Sequence, residues 1–266
     1  GVNLFCPQQP LSGAQRTAAR ELAQAENQPL PDPDYSFGFA EKLDLALRGG
    51  ARVVWSMFGT FTPEQIERIH AAGAEAWTTV TTSAEATATA RRGVDVLCVQ
   101  GPAAGGHRGT WDLAATPDSR DLEELVSDVH TAAPDLPLIA AGGLRTADDI
   151  ATAMSWDGVG ACSCGSAFLL TEEAGTSDYN RQLLRRGGQT VSTRAFSGRF
   201  ARGLETQYTR SHPNLSPVYP LLNPVLKERR AQHDDAVAYC LVGTEVEKIN
   251  GGTVANILNE LCQNPQ

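Results

Sequence analysis

The residue best placed to do chemistry in this sequence is His107, near the end of the stretch Gln100-Gly-Pro-Ala-Ala-Gly-Gly-His107-Arg-Gly109. Four glycines and two alanines there leave the backbone almost bare, so it can approach a flat ring or a phosphate closely. An imidazole titrates near neutrality and can take up a proton or hydrogen-bond an anion, and Arg108 adds a neighbouring cation. Two later stretches have the composition of a phosphate cradle: Leu136-Pro-Leu-Ile-Ala-Ala-Gly-Gly-Leu144 and Gly158-Val-Gly-Ala-Cys-Ser-Cys-Gly-Ser166. Each ends an apolar run in glycine, where backbone N–H groups can donate, and Ser166 adds a hydroxyl. Tight turns alone would also need these glycines; their occurrence together, in order, is what points to a phosphate. A fourth stretch, Thr193–Gly203, carries Arg194, Arg199 and Arg202. These could clamp an anion or tie the body to a C-terminal cap by salt bridges, and we take the structural role first.

These loops must be carried by something rigid. Short apolar runs at Val2–Phe5, Arg52–Met57, Glu75–Val80, Val94–Val99, Leu136–Ala140 and Gly158–Cys162 are nearly continuous rather than alternating, as in parallel strands covered on both faces. Helical segments lie between them. Thr62-Pro-Glu-Gln65 reads as an N-cap, a first-turn proline and a capping-box glutamine, with Gly73 as the stop. Thr146-Ala-Asp-Asp149 starts another helix, and Leu122, Leu125, Val126 and Val129 form the stripe of a third. Glycine clusters follow several different strands, at Gly59, Gly101–Gly109, Gly142-Gly143 and Gly165, and no G-x-G-x-x-G follows the first. That favours a barrel, which recruits loops around its whole rim, over a doubly wound sheet with one switch point. Only six strands are found, so the expectation is a barrel whose N-terminal β-α-β segment is missing from this chain.

Bulk properties narrow the partners. With 266 residues, 41% hydrophobic content and 20% charged residues, the chain reads as an ordinary globular protein. A formal charge of −9 argues against nucleic acid or an anionic membrane, and no apolar run could span a bilayer. No signal peptide is read, and the six cysteines are expected to be reduced thiols in a cytoplasm. Cys162 and Cys164 lack the second pair a zinc site would need, so no metal is expected. Four prolines between Ser211 and Pro224 suit an irregular covering loop.

Taken in order, Gly1-Val-Asn3-Leu-Phe5, Val99–Gly109, Pro137–Gly143, Gly165-Ser-Ala-Phe-Leu-Leu-Thr-Glu-Glu173, Ser197-Gly-Arg-Phe-Ala-Arg202 and the tail with Leu241-Val-Gly243 and Gly251-Gly252 resemble the nitronate monooxygenase family, formerly called 2-nitropropane dioxygenases. The resemblance covers essentially the whole chain. It implies an α/β fold, an FMN-dependent TIM (β/α)8 barrel in residues 1–190, with a cap in 191–266. By position it places Asn3, Gln100 and Gly105 against the flavin, with Ser163 on the cofactor side. Gly142, Gly143, Gly165 and Ser166 fall at its phosphate, and His107 at the catalytic position. The implied activity is oxidation of alkyl nitronates, or of nitroalkanes after loss of the α-proton, by O2 to a carbonyl compound and nitrite. The partners implied are that small molecule and O2; a homodimer is left open.

The family's proline-methionine loop after the first strand is absent, in keeping with the strand count. Pro102 or Ala103 stands where an acidic residue is usual, Ser163 where a glutamine is usual, and Gly243-Thr244 where Gly-Gln is usual, departures that bear on substrate more than on fold. Two competing readings are an NAD(P)H-dependent flavin reductase of the enoyl-acyl-carrier-protein reductase type and a non-catalytic barrel remnant.

Overall fold

The computed structural model describes residues 1–263. All six expected strands are present: β1 (Val2–Phe5), β2 (Val53–Met57), β3 (Glu75–Val80), β4 (Val96–Gln100) and, after the two-residue β5 (Gly106–His107), β6 (Leu138–Ala141) and β7 (Val159–Ser163). They form one six-stranded sheet in the order β1-β2-β3-β4-β6-β7, every pair parallel. Helices α1 (Gly13–Ala25) and α2 (Phe39–Arg48) join β1 to β2, and α3 (Pro63–Ala71), α4 (Ser83–Ala90), α5 (Leu122–Ala132) and α6 (Ala147–Met154) make the later crossovers.

The strand order never reverses, so every crossover winds in the same sense, as in a β/α barrel rather than a doubly wound sheet. The sheet also curls. Laid flat, five inter-strand steps of about 4.8 Å would hold β1 and β7 roughly 24 Å apart. Asn3 of β1 and Ser163 of β7 nevertheless line the same cavity, together with residues of β2, β3, β4 and β6.

The pleat divides the strands between two environments. Leu4, Val54, Ala76, Val80, Leu97, Val99, Leu138 and Ala140 point outward and pack with Ile66, Ile69, Leu125, Val126 and Val129 of the helices in the main core. Asn3, Trp55, Thr79, Cys98, Gln100 and Ala141, offset by one residue, point inward. The caps read from sequence are in place. Thr62 Oγ1 accepts from Gln65 N at 3.3 Å while Gln65 Oε1 accepts from Thr62 N at 2.9 Å, and Thr146 and Asp149 repeat the arrangement.

A second sheet was not anticipated. After α7 (Asp178–Arg186), β8 (Thr190–Thr193) and β9 (Ala201–Leu204) form a hairpin whose outer partner is β5, pairing Gly106 with Arg202 and His107 with Ala201. A two-residue strand has no periodicity to read. The remaining helices, α8 (Gln207–Ser211), α9 (Leu222–Val225), α10 (Lys227–Ala231) and α11 (Val254–Leu261), are short. A second core gathers Leu11 and Ala19 with Tyr208, Val218, Leu222 and Leu226, so the C-terminal segment covers the region after β1. Among the described residues no helix is long and apolar enough to cross a membrane.

Leu97, the second residue of β4, is fully buried in the main core. Leu97→Ala is expected to cost about 2–5 kcal/mol through lost contacts and a residual cavity, read as a lowered denaturant midpoint with an unchanged slope.

Candidate functional site

The C-terminal ends of the strands surround a cavity of about 410 Å³. Asn3, Gln100, Gly105, Gly142, Gly143, Ser163, Gly165 and Ser166 all line it, so candidates spread over more than 160 residues of sequence meet in one place. His107 does not line this cavity directly. It follows Gly106 at the rim, and its ring lies between Phe58 and Tyr219, which border a second cavity of about 410 Å³ with Gln8, Trp111 and Asp112.

Gln100 shapes the loop as well as lining the cavity. Its Nε2 donates to the His107 carbonyl at 2.9 Å and its Oε1 accepts from Gly109 N at 2.7 Å. Arg108 donates to the Gln100 carbonyl and, at 3.2 Å, to that of Asp118. Gly105 lies so close to the backbone of Val242-Gly243 that a Cβ there would collide with it, so the loop can close on the C-terminal segment only with glycine at this position.

The His107 ring is held by a hydroxyl. Nε2 lies 2.7 Å from Ser197 Oγ, whereas that oxygen's contact with the Arg199 carbonyl is 3.4 Å. The hydroxyl hydrogen therefore has its better acceptor in Nε2, which assigns the imidazole proton to Nδ1. Phe58 and Tyr219 meet the ring edge-to-face at centroid distances of 5.9 and 5.4 Å. Phe58 holds φ at +66°, a conformation that costs a bulky side chain of order 1 kcal/mol or more and that aims its ring at the site.

Arg199, 1% exposed, stacks 4.1 Å above the centre of the Phe58 ring and 5.3 Å from that of Tyr219. It donates to the Thr110 carbonyl at 2.6 Å and to Gln8 Oε1. Burial, with this nearby cation as the second cause, holds the His107 imidazole down at about 4, against an ordinary value of 6.5. The ring is neutral at pH 7.

At the opposite end of the first cavity, Gly142 and Gly143 have φ of +110° and +82°, which only glycine adopts freely. Ser166 Oγ accepts from Gly243 N at 3.0 Å, leaving its hydroxyl hydrogen to donate elsewhere. Arg145 lines the same end.

The three arginines of the fourth stretch bind loops, as the structural reading had it, but through carbonyls and side-chain oxygens instead of carboxylates. Arg194 donates to Ala114 at 2.8 Å and Arg202 to Pro102 at 2.8 Å. Sequence reasoning did not single out Phe58, Tyr219 or Ser197 as neighbours of His107, nor Arg145 as part of the cavity. Ser197 and Arg199 lay inside a quoted motif; Phe58 and Tyr219 carried no local signal.

A curled parallel β/α sheet with a cavity at its C-terminal rim and a half-buried, oriented histidine defines a barrel of the enzyme type. The sequence model described as nitronate monooxygenase matches residues 1–264, and the chain belongs to that family. The probable nitronate monooxygenase of Bacillus subtilis is 27% identical over 238 residues, covering 85% of this chain and 67% of the relative. The crystal structure of nitroalkane oxidase from Streptomyces ansochromogenes superposes with a TM-score of 0.85 at 31% identity, over 97% of this chain and 78% of that one. FabK of Thermotoga maritima shares the fold, with a TM-score of 0.69 at 23% identity over 92% of this chain and 78% of that one. Alignments to curated relatives span between 44% and 68% of those proteins' lengths.

A folded-state value below the unfolded one means that the unfolded chain binds more protons between pH 6.5 and about 4. The stability contributed by neutral His107 is thus fully present above pH 6.5 and is lost as pH falls toward 4, on the order of 3 kcal/mol in all. Denaturant unfolding across this window should show a shallower loss in His107→Gln than in wild type. The ring's own NMR titration should have its midpoint near 4; a midpoint near 6.5 would mean a solvated ring and remove the argument.

Proposed function

We propose that this chain oxidises alkyl nitronates to carbonyl compounds and nitrite, using bound FMN and O2, with His107 as the residue that hydrogen-bonds the nitronate. One arrangement carries this reading: a neutral imidazole, fixed by Ser197 and set beside the buried Arg199 cation, at the rim of a cavity built from all six parallel strands. Family membership and the likeness to a nitroalkane oxidase support it.

The residues of the first cavity fit FMN. Its size lies within the range of small-ligand sites, roughly 300–1,000 Å³. Asn3 and the spare Gln100 N–H offer neutral polar contacts to a flavin ring, and Thr79 and Ser163 line the same wall. Gly142, Gly143 and Gly165 expose backbone where a phosphate would sit, with Ser166 beside them. Bound FMN would supply the electron acceptor that the side chains lack.

The protein's own part is binding and orientation. His107 Nδ1–H would donate to a nitro oxygen, Ser197 holding the tautomer that makes this possible. Phe58 and Tyr219 keep water from the ring, and Arg199 supplies a positive potential for the anion. Burial and Arg199 both lower the proton affinity of the imidazole, which suits a hydrogen-bond donor to the preformed nitronate; the neutral nitroalkane would in addition have to lose its α-proton. Overall, two nitronate anions and one O2 give two carbonyl compounds and two nitrite ions, a balance that needs no added reductant.

Nitrite release and O2 uptake from a primary alkyl nitronate, without NADH, should be readily measured for wild type and be faster than from the parent nitroalkane. His107→Asn should lower turnover about 100-fold, the scale for loss of one oriented donor, with the flavin spectrum retained. Undiminished nitrite release by His107→Asn would end the assignment of His107. NADH consumption with no nitrite formed would replace the oxidase reading with the reductase one.

A further inference from the structure

We infer that Arg145 is a phosphate-binding cation at the end of the first cavity, and that it selects a flavin carrying a terminal phosphate over the unphosphorylated flavin. The inference deepens the FMN reading above and rests on it for the identity of the ligand. Arg145 follows Gly142-Gly143-Leu144 at the end of β6 and is 7% exposed. It lines the cavity with Gly142, Gly143, Gly165 and Ser166. Nη1 donates to its neighbour's carbonyl, Leu144, at 3.2 Å, and Nη2 to that of Thr244 at 3.0 Å; Nε has no partner.

Among the described residues no carboxylate lies within ion-pair distance of this guanidinium. Asp149, four residues on, is committed elsewhere: its Oδ2 accepts from the backbone N–H groups of Arg145 and Thr146 at 2.8 and 2.9 Å. Glu245 and Asp149 act on it only from beyond ion-pair distance, so this buried cation has carbonyls alone in contact and lacks a direct counter-charge, which is costly in a low-dielectric interior. A phosphate dianion in the cavity would supply it, with bidentate geometry suited to a guanidinium.

The chain makes room for the side chain. A Cβ on Gly243 would collide with Nη2, so glycine at 243 is what allows the guanidinium to lie against this segment. Thr244 N donates in turn to the Ala103 carbonyl at 3.2 Å, which ties the segment to the glycine-rich loop. Leu241 lines the cavity, while Gly243 and Thr244 hold Ser166 and Arg145 from behind it.

The test titrates the purified chain with FMN and with riboflavin by fluorescence, and follows thermal unfolding with and without inorganic phosphate. Wild type should bind FMN more tightly than riboflavin, and phosphate should raise its Tm. Arg145→Met should weaken FMN binding about 10- to 100-fold, the scale of one charge-assisted contact, leave riboflavin affinity unchanged and abolish the phosphate effect. Arg145→Lys should restore part of both; should the methionine variant misfold, the comparison is made on the lysine variant. Equal loss of FMN and riboflavin binding, or an unchanged ratio between them, overturns the inference in favour of a packing role. Phosphate stabilisation that depends on Arg145 without flavin binding would keep the anion site and reject the flavin reading. Absence of any phosphate or flavin response rejects both.

Discussion

One side-chain amide fixes the part of the molecule where the chemistry lies. The loop from Gly101 to Gly109 is rich in glycine and alanine, residues that give a chain great freedom and little to pack with. Gln100 uses its donor and its acceptor to span that loop, binding the His107 carbonyl and the Gly109 N–H. With the loop held, Gly106 and His107 can present a strand edge to β9, and that pairing brings Ser197 and Arg199 to the histidine. Gln100 reaches this point because it closes β4, where the pleat turns its side chain inward; a shift of one residue in β4 would turn it toward the helices.

The second constraint is charge. The chain is acidic overall, at −9, yet Arg108, Arg145 and Arg199 are 6%, 7% and 1% exposed around the barrel mouth. Their hydrogen-bond partners are mainly loop carbonyls, which orient a guanidinium without cancelling its charge. Burial pushes Arg108 and Arg199 down to about 10, which leaves both protonated at neutral pH. The result is an excess of buried cations over the partly buried Glu85 carboxylate, which acts on Arg108 and Arg199, inside an acidic shell. Attraction for an anionic substrate, as proposed, would therefore come from the site and not from the molecular surface, and salt should screen it weakly.

Most of the scaffold was legible in the residues. Continuous apolar runs marked the six strands to within two residues at their ends, because both faces of a parallel strand are covered and no polar alternation obscures them. Thr62-Pro-Glu-Gln65 and Thr146-Ala-Asp-Asp149 marked helix starts because a capping box is a local device. The glycine clusters located the cavity's rim. What surrounds His107 was not legible in the same way. Phe58 precedes an ordinary-looking glycine, Tyr219 sits in a proline-rich covering loop, and β5 is two residues long. Their placement depends on contacts across 90 residues or more of chain, such as His107 with Ser197, which no local pattern encodes. Arg145 was passed over because it follows a glycine pair that explained the turn by itself.

The two influences on His107 also bear on how the site responds to its ligand. Arg199 and desolvation both disfavour a charged imidazole, whereas a bound nitronate would favour one. With the anion in place, the effects of Arg199 and of substrate on the ring oppose each other, and desolvation remains, so the ring's charge state need not change on binding. On the proposed reading, Nδ1 would then keep its proton and serve as the donor. Arg199 is held away from that contact: Nη1 and Nη2 donate to Thr110 and Gln8, and its face lies on Phe58, although Nε has no partner. The proposed division of labour rests on this geometry, in which a fixed guanidinium would set the potential and a neutral imidazole would make the directed contact.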